Sequence, residues 1–325
     1  MKKSSYLILI FLFACASGSL GQNNYNIGLS IGGSNYFGDL GNEDFLQYTS
    51  TRPGATITFR NFLNNPYKSG KMVRSVDVEA RLSWHRIGYD ETEPIGNNSG
   101  FELRNYGRGL SFRTDVYGIS SNITYSFYQN KVEPIHKQRA VFYVFTGIGI
   151  YHSNPKADLF NGAIDLDNRY YYWSDGTIRD ADEKSGNGNV VEKDGEFETT
   201  LADWKTENVN YSNYSVAIPY GIGLRWGISK RVTLGAEFSY NYFFNDYLDD
   251  VSDSYALNTE IQNNFDGDPV KQQLASYITD PTGLGSSGVD NVATSPRGNP
   301  DYNDAYSFFS FEVSYNFKHF FKKAD

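Results

Sequence analysis

One stretch of strict alternation, residues 214–228, constrains the fold of this chain more than any other feature. Every second residue from Tyr214 to Ile228 is apolar, and the residues between them are mostly small or polar. A period of two indicates a β-strand with one apolar face. Strands of soluble proteins typically have about 5–6 residues, whereas a tilted strand that crosses a membrane needs about 9–11. The stretch therefore favours a membrane-spanning strand.

Seven further segments alternate in the same way, so that we predict eight strands. The apolar positions of these seven segments fall within residues 25–31, 55–62, 76–84, 117–127, 141–150, 232–242 and 309–317. The fifth strand is ambiguous in phase, because either Tyr143 or Phe142 could belong to its apolar face. A mean hydropathy of −0.51 does not argue against a membrane protein, since lipid-facing and inward-facing residues alternate in a β-barrel.

The connections between the predicted strands alternate in length. The odd-numbered connections span about 38–53, 87–109, 153–212 and 247–305, and the even-numbered ones about 63–75, 128–139 and 229–231. Outer-membrane barrels have long loops outside and short turns in the periplasm. We therefore predict an all-β fold, an eight-stranded antiparallel up-and-down transmembrane β-barrel with long extracellular loops. Both termini are then periplasmic.

The first 21 residues have the features of a secretory signal peptide. Lys2 and Lys3 precede an apolar run, and a small-x-small pattern ends at Gly21. We predict that residues 22–325 form a single outer-membrane barrel domain. The one cysteine, Cys15, lies inside the signal segment, and an alternative is a lipoprotein acylated at Cys15. Without that lipidation the mature chain has no thiol, which excludes disulfides and cysteine-ligated metals.

Charge divides between the two ends of the predicted barrel. Residues 153–211 hold 13 Asp and Glu against 6 Lys and Arg, and residues 246–304 hold 11 against 2. The net charge of −9 argues against a nucleic-acid partner. The short turns are basic, and we take eight of their residues as a candidate periplasmic interface: Lys68, Lys71, Arg74, Lys131, Lys137, Arg139, Lys230 and Arg231.

An enzyme at the outer rim is a weaker alternative. Eight strands leave an interior just wide enough for side chains, so we expect no diffusive pore and place function in the loops, turns or outer wall. His85 and His152 lie near the outer ends of strands three and five, with Asp90, Asp158 and Asp246 within reach. Catalysis needs a base held beside a nucleophile, and no pattern holds one here. We predict no catalytic residues and no cofactor.

Two acidic pairs, residues 165–167 and 180–182, have the spacing that opens a calcium loop. An EF-type loop also needs Gly at position six and Glu at position twelve. Position six is Tyr170 from the first start and Ser185 from the second. We therefore predict no metal site and interpret the segment as a solvated, mobile loop.

Four segments carry a resemblance to a known family. They are "GGSNYFGDLG" (32–41), "IPYGIGLRW" (218–226), "NDYLDDVSDSY" (245–255) and "RGNPDYNDAYSFFSFEVSYNF" (297–317). They resemble the Bacteroidetes family of outer-membrane barrels that includes PorG of the type IX secretion system. The segments follow the order of that family from the first strand to the last, whereas the loop 153–212 is not matched and is treated as variable.

The resemblance implies a role without an active site. In type IX secretion, PorG is thought to tie a periplasmic ring of the PorK lipoprotein and PorN to the outer membrane. A relative would use its lipid-facing wall as an anchor and its periplasmic face as an interface with PorK/PorN-like proteins. The basic turns could steer an acidic partner, contact anionic lipid groups or simply keep the turns soluble. An alternative is a surface barrel whose acidic loops bind an external ligand or adhesion target.

The acidic segment after strand seven is expected to be structural. Strand eight lies between strands seven and one in a closed barrel, which brings the loops after strands one and seven together. We expect Asp246, Asp249 or Asp250 to make fixed hydrogen bonds there, with the Gly38–Asp39 turn as a candidate partner. The predicted outer-rim motif consists of Gly38, Asp39, Asp246, Tyr247, Asp249 and Asp250.

Overall fold

A computed structural model describes residues 24–40, 50–62, 76–92, 101–127, 140–229, 231–285 and 296–318. The predicted signal peptide lies outside these ranges. The strands are β1 (Asn24–Phe37), β2 (Arg52–Phe62), β3 (Val76–Asp90), β4 (Ser111–Phe127), β5 (Ala140–His152), β6 (Pro155–Ala157), β7 (Tyr171–Tyr172), β8 (Ile178–Arg179), β9 (Thr199–Thr200), β10 (Tyr214–Gly227), β11 (Val232–Phe243) and β12 (Ala305–Lys318). The helices are α1 (Phe101–Arg108), α2 (Asn258–Asn263) and α3 (Pro269–Thr279), with short 3-10 helices at Leu166–Asn168, Glu183–Ser185 and Leu201–Asp203.

The eight long strands close into a barrel. Their order is β3-β2-β1-β12-β11-β10-β5-β4, and β4 pairs back with β3. Each of these pairings is antiparallel. The strands have between 11 and 17 residues, long enough to cross a bilayer when tilted. The predicted eight-stranded up-and-down barrel is therefore confirmed.

The outward face of the barrel is an apolar belt. Ile31, Ile123, Ile222 and Phe311 point away from the lumen with 60–64% of their surface exposed. A soluble monomer rarely exposes an apolar patch this continuous, whereas lipid tails solvate such a belt. No helix within the described ranges is long and apolar enough to cross a membrane.

The contacts inside the lumen settle which residues of β5 face inward and which face outward. Phe142 faces outward with 64% of its surface exposed, whereas Tyr143 and Phe145 are buried in the lumen. The Arg225 guanidinium lies 3.8 Å from the centre of the Tyr143 ring, and the Arg81 guanidinium lies 4.2 Å from the Phe145 ring. Cations above aromatic faces are attracted electrostatically, so these rings belong with the arginines inside.

The carboxylate of Glu79 is the centre of an ionic network inside the lumen. It accepts from Arg60, Arg81 and Arg225, each at 2.6 Å. The carboxylate is fully buried, so its desolvation must be offset by these partners. Sequence patterning did not reveal the network, because its residues come from three different strands.

The same arginines reach further acids. Arg60 pairs with Glu312 at 3.0 Å, Arg81 with Glu237 at 2.6 Å, and Arg225 with Asp77 at 3.2 Å. Charged side chains from β2, β3, β10, β11 and β12 thus meet across the lumen. A neighbouring cavity beside Arg81 and His85 has a volume of about 20 Å³, room for about one water molecule. The lumen is filled by side chains at this level.

The described parts of the long connections 153–213 and 244–304 fold into a cap over one mouth of the barrel, which the sequence predicts to be the outer one and which is called the outer mouth below. Their apolar side chains form one buried cluster with residues of the barrel rim. The cluster includes Leu159, Phe160, Leu201, Leu248, Val251, Leu274 and Ile278 from the cap and Ile87, Phe112 and Val116 from the barrel. Burial of apolar surface on this scale stabilises the cap against the barrel.

Replacing Glu79 by alanine should strongly destabilise the barrel. Removing one partner of a buried ion pair costs about 3–5 kcal/mol, because the remaining charges stay buried. We expect a lower urea midpoint for the variant in detergent micelles, followed by tryptophan fluorescence. The matched control is Lys271→Ala, whose exposed pair with Asp268 spans 3.9 Å and should contribute about 0–1 kcal/mol. Equal midpoints for the two variants would contradict this account.

Candidate functional site at the outer mouth

A phenol and two carboxylates meet at the end of β1. The Tyr36 hydroxyl lies 2.5 Å from Oδ2 of Asp249 and 3.0 Å from Oδ1 of Asp304. Both carboxylates are almost fully buried. Asp249 also accepts from the backbone N–H of Val251, and Asp304 from that of Leu248. The contacts connect the first strand to both ends of the β11–β12 connection.

The Tyr36 hydroxyl has one proton to donate and two carboxylates beside it. A proton on one of the two carboxyl groups therefore completes the hydrogen bonding among the three groups. Burial and the charge of Asp304 raise the pKa of Asp249 well above its usual range. Burial and the charge of Asp246 do the same for the pKa of Asp304. Desolvation and like charge both favour the neutral acid, which makes this pair a place where protons are held.

Two further carboxylates lie close to this pair. Burial raises the pKa of Asp39 to about 6 and the pKa of Asp246 to about 7. Close approach depends on glycine at two positions. A Cβ atom on Gly38 would overlap Oδ1 of Asp304, and one on Gly298 would overlap Oδ2 of Asp39. No side chain fits in either place without displacing the acids.

Asp250 makes a second set of contacts, with the β5–β10 connection. Its carboxylate accepts from the hydroxyls of Thr206 and Tyr211, each at 2.5 Å, and from Arg297 at 3.4 Å. Arg297 also donates to Glu207 at 3.1 Å. The φ angle of Asp250 is 72°, a left-handed conformation that is uncommon outside glycine. These side-chain contacts hold it there.

Arg108, at the end of α1, joins the remaining connections. It forms a buried ion pair with Glu91 and donates to the backbone carbonyls of Arg297 at 2.7 Å and Asp39 at 3.2 Å. Polar contacts therefore link all four outer connections at one mouth.

The structure brings together much of the predicted outer-rim motif. Gly38, Asp39 and Asp246 lie near the Tyr36 hydroxyl or its two acids, whereas Asp250 belongs to the Arg297 contacts. Tyr247 stacks on Tyr211, with 4.4 Å between ring centres. In the predicted Gly38–Asp39 turn, the Asp39 carbonyl accepts a hydrogen bond from Arg108. Asp249 accepts instead from the hydroxyl of Tyr36, two residues before the turn.

Sequence analysis missed several partners at this mouth. Tyr36, Arg297 and Asp304 lie inside the quoted segments 32–41 and 297–317, so the resemblance contained a signal that could have found them. Arg108 and Glu207 lie outside those segments and carried no such signal. The three segments 32–41, 245–255 and 297–317 are far apart in the chain and meet here.

The candidate periplasmic interface is mostly beyond the described residues. Lys68, Lys71, Arg74, Lys131, Lys137, Arg139 and Lys230 lie outside them. Arg231 is exposed in the turn between β10 and β11 and donates to the Tyr315 hydroxyl at 3.2 Å. A role for these residues remains a prediction.

The two histidines considered for catalysis are separated. His85 is buried in the lumen, where its ring nitrogens lie 3.0 Å from Thr56 Oγ1 and 2.9 Å from the Tyr306 hydroxyl. His152 packs edge-on against Tyr214, with 4.9 Å between ring centres. Within the described ranges neither histidine is hydrogen-bonded to a carboxylate, and the two hydroxyls beside His85 lie inside the lumen.

No family model matches the chain, and no curated protein matches it. Among solved structures, neisserial surface protein A is 9% identical with a TM-score of 0.38, covering 90% of this chain and 97% of that one. The attachment invasion locus protein Ail of Yersinia pestis, in complex with the heparin analogue sucrose octasulfate, is 9% identical with a TM-score of 0.36, covering 91% and 100%. A major outer membrane protein from Thermus thermophilus is 8% identical with a TM-score of 0.36, covering 91% and 100%. At these scores, the barrel assignment rests on the strand pairing itself.

Replacing Gly38 by alanine should loosen the outer mouth. The added methyl group would overlap the Tyr36 hydroxyl and the Asp304 carboxylate, and overpacking of this kind costs about 1–3 kcal/mol. We expect earlier thermal unfolding of the cap, followed by tryptophan fluorescence in micelles. The control is Gly107→Ala in α1, where a Cβ atom meets nothing within 4 Å. A cap as stable in Gly38→Ala as in the control would contradict the proposed close packing.

The cap should lose stability as pH rises. Folded-state pKa values of about 6 for Asp39 and about 7 for Asp246 exceed the value of about 4 in an unfolded chain. The folded cap therefore binds protons more tightly, and stability falls between about pH 4 and about pH 7. We expect a higher thermal midpoint of the cap at the acidic end, with a smaller pH dependence in Asp246→Asn.

The control for this experiment is Asp180→Asn. Hydrogen bonds from Asn189 lower the pKa of Asp180, so this carboxylate titrates at or below the acidic end of the window and is charged in both states over the rest of it. Its replacement should leave the pH dependence of the midpoint unchanged. A midpoint that rises with pH in the wild type would overturn the assignment.

Proposed function

We propose that this chain is a non-enzymatic, integral protein of the outer membrane that acts as a PorG-like component of type IX secretion. In this role it anchors a periplasmic ring of PorK/PorN-like proteins to the outer membrane. The observation that carries the proposal is the meeting of segments 32–41, 245–255 and 297–317 at the outer mouth. Three of the four segments on which the resemblance depends thus form one packed unit in space.

The barrel is suited to anchoring. Its apolar belt provides contact with outer-membrane lipids, and ion pairs around Glu79 fill the lumen. Cross-lumen pairs also tie opposite walls of the barrel together. A stiff, filled barrel can transmit force from a periplasmic assembly to the membrane without opening a leak.

The periplasmic end offers charge for recognition. Arg231 is exposed at the described turn between β10 and β11, and the sequence places the other basic turn residues in the connections predicted for the same end. A basic face steers and orients an acidic partner. We propose that the partner surface on the ring is acidic.

A second candidate function uses the opposite end. The cap is folded and rich in acidic residues, so it presents a preformed surface to the exterior. A preformed surface costs less ordering entropy on binding than a disordered loop. In this alternative the chain is a surface barrel whose acidic loops bind an external ligand or adhesion target.

Type IX cargo export distinguishes the two functions. Deletion of the gene should abolish export, and the wild-type gene should restore it. The double variant Lys230→Glu/Arg231→Glu should restore it poorly, because it reverses charge on the periplasmic face. The control Lys271→Glu reverses an exposed charge on the outer cap and should restore export fully. Barrel levels in the outer membrane are measured in parallel.

Crosslinking from intact outer membranes provides the second readout. Ring proteins should be recovered with the wild type and with Lys271→Glu, but in reduced amount with the double variant. Normal cargo export in the deletion strain would overturn the secretion role and favour the external-ligand alternative.

A further inference from the structure

Three carboxylates of the connection between β5 and β10 meet in the cap. One oxygen from each of Asp158, Asp194 and Glu198 lies within 4.8 Å of one oxygen from both others. Asp158 is 2% exposed. Glu198 is partly buried and Asp194 is exposed. A buried carboxylate with like charges beside it is costly unless a cation compensates it.

Two of these carboxylates have an oxygen with no hydrogen-bond partner among the described residues. These atoms, Oδ1 of Asp158 and Oε2 of Glu198, are both shielded from solvent. The other oxygen of each is held by the chain. Asp158 Oδ2 accepts from the N–H of Gly195 at 2.8 Å, and Glu198 Oε1 accepts from the N–H of Leu159 at 3.1 Å and the Thr199 hydroxyl at 2.7 Å. Each carboxylate is therefore oriented with one oxygen left over.

The nearest basic side chains are committed elsewhere. Lys193 donates to Asp90 and to the Ser111 hydroxyl, each at 3.2 Å. The Arg113 guanidinium lies 4.1 Å from the centre of the Phe197 ring. Both cations reduce the local negative potential. In the described part of the chain, neither forms an ion pair with any of the three carboxylates.

The chain folds so that these acids face one another across a loop. β6 pairs with β9 through Ala157 and Thr199, which brings the beginning and the end of the loop together. Asp194 accepts from the N–H of Gly162 at 2.9 Å with one oxygen and from the N–H of Glu196 at 2.8 Å with the other. A cation at this place would fasten the two ends of the loop.

The donor set favours a particular ion. Calcium binds oxygen ligands at about 2.3–2.6 Å in flexible geometry, so two of its ligands can lie nearly 5 Å apart. Magnesium demands a tighter octahedron and keeps most of its water, and zinc prefers nitrogen and sulfur ligands. We propose that Asp158, Asp194 and Glu198 bind a calcium ion taken from the external medium, which stabilises the cap.

Burial also raises the pKa of Asp158 and of Glu198, as expected for acids gathered to receive a cation. The expected affinity is that of extracellular calcium modules, with a Kd of about 0.1–1 mM. The acidic pairs 165–167 and 180–182 have another role, since Asp165 and Asp182 cap short 3-10 helices through N–H groups two residues on.

Terbium luminescence tests the site directly. The full chain is refolded in detergent micelles, freed of metal with a chelator and titrated with terbium chloride. The Tyr170 hydroxyl accepts from the N–H of Asp194 at 2.9 Å, so a tyrosine stands beside the site to sensitise emission. We expect emission that calcium chloride reverses, and its loss in Asp158→Asn/Glu198→Gln. The control Asp165→Asn/Asp180→Asn should retain it.

Limited proteolysis of the cap gives an independent readout. With free calcium at about ten times Kd, mass action should slow cleavage within residues 153–213 about tenfold in the wild type. The protection should vanish in Asp158→Asn/Glu198→Gln and in the milder single variant Asp194→Asn. The single variant keeps the test valid should the double variant fail to fold. Calcium-independent cleavage in the wild type, equal protection by magnesium chloride, or full protection in Asp194→Asn would overturn the proposal.

Discussion

The rest of the barrel depends on the ion pairs that the Glu79 carboxylate makes with three arginines. A closed barrel of eight strands must fill its lumen with side chains, and this chain fills it with charges. Three guanidinium groups around one carboxylate would repel one another without Glu237, Glu312 and Asp77 on their other sides. The network therefore works only as a whole, since a missing member leaves a buried charge without its partner.

A filled lumen moves function to the ends and the wall of the barrel. The two ends differ in kind. The connections predicted to be periplasmic are short and basic in sequence. Those predicted to be outer are long and acidic, and their described parts fold into a cap with its own apolar cluster. A cap of this size can be a structural closure or a recognition surface. The secretion proposal uses it as closure, because it assigns recognition to the opposite end.

The barrel could be predicted from sequence because alternation with a period of two can be recognised within the segment of each single strand. An outward strand face has one requirement, to be apolar, and the chain meets it at nearly every second residue. The phase of β5 could not be predicted, because its inward Tyr143 and Phe145 are as apolar as its outward residues. Their place is decided by Arg225 and Arg81, which lie on other strands.

The candidate site was predictable only in part, for a related reason. Asp246, Asp249 and Asp250 stand out because they crowd into a short segment after β11. Tyr36 and Arg297 do not stand out, because one phenol or one arginine has no local pattern. Contacts between residues more than 200 positions apart depend on strand register, which composition does not encode.

The three carboxylates of the proposed calcium site illustrate the same limit more sharply. Counting along the chain from Asp165 or Asp180 finds no calcium loop, and those acids serve other hydrogen bonds within the cap. The acids that converge are Asp158, Asp194 and Glu198, and the pairing of β6 with β9 brings the first and the last of them together. The two clusters of carboxylates in the cap thus relieve the repulsion between like charges in different ways. Both oxygens of Asp249 and of Asp304 already accept hydrogen bonds, so a proton relieves the charge of that pair. Asp158 and Glu198 each keep one oxygen without a donor among the described residues, and these oxygens are free for a metal ion.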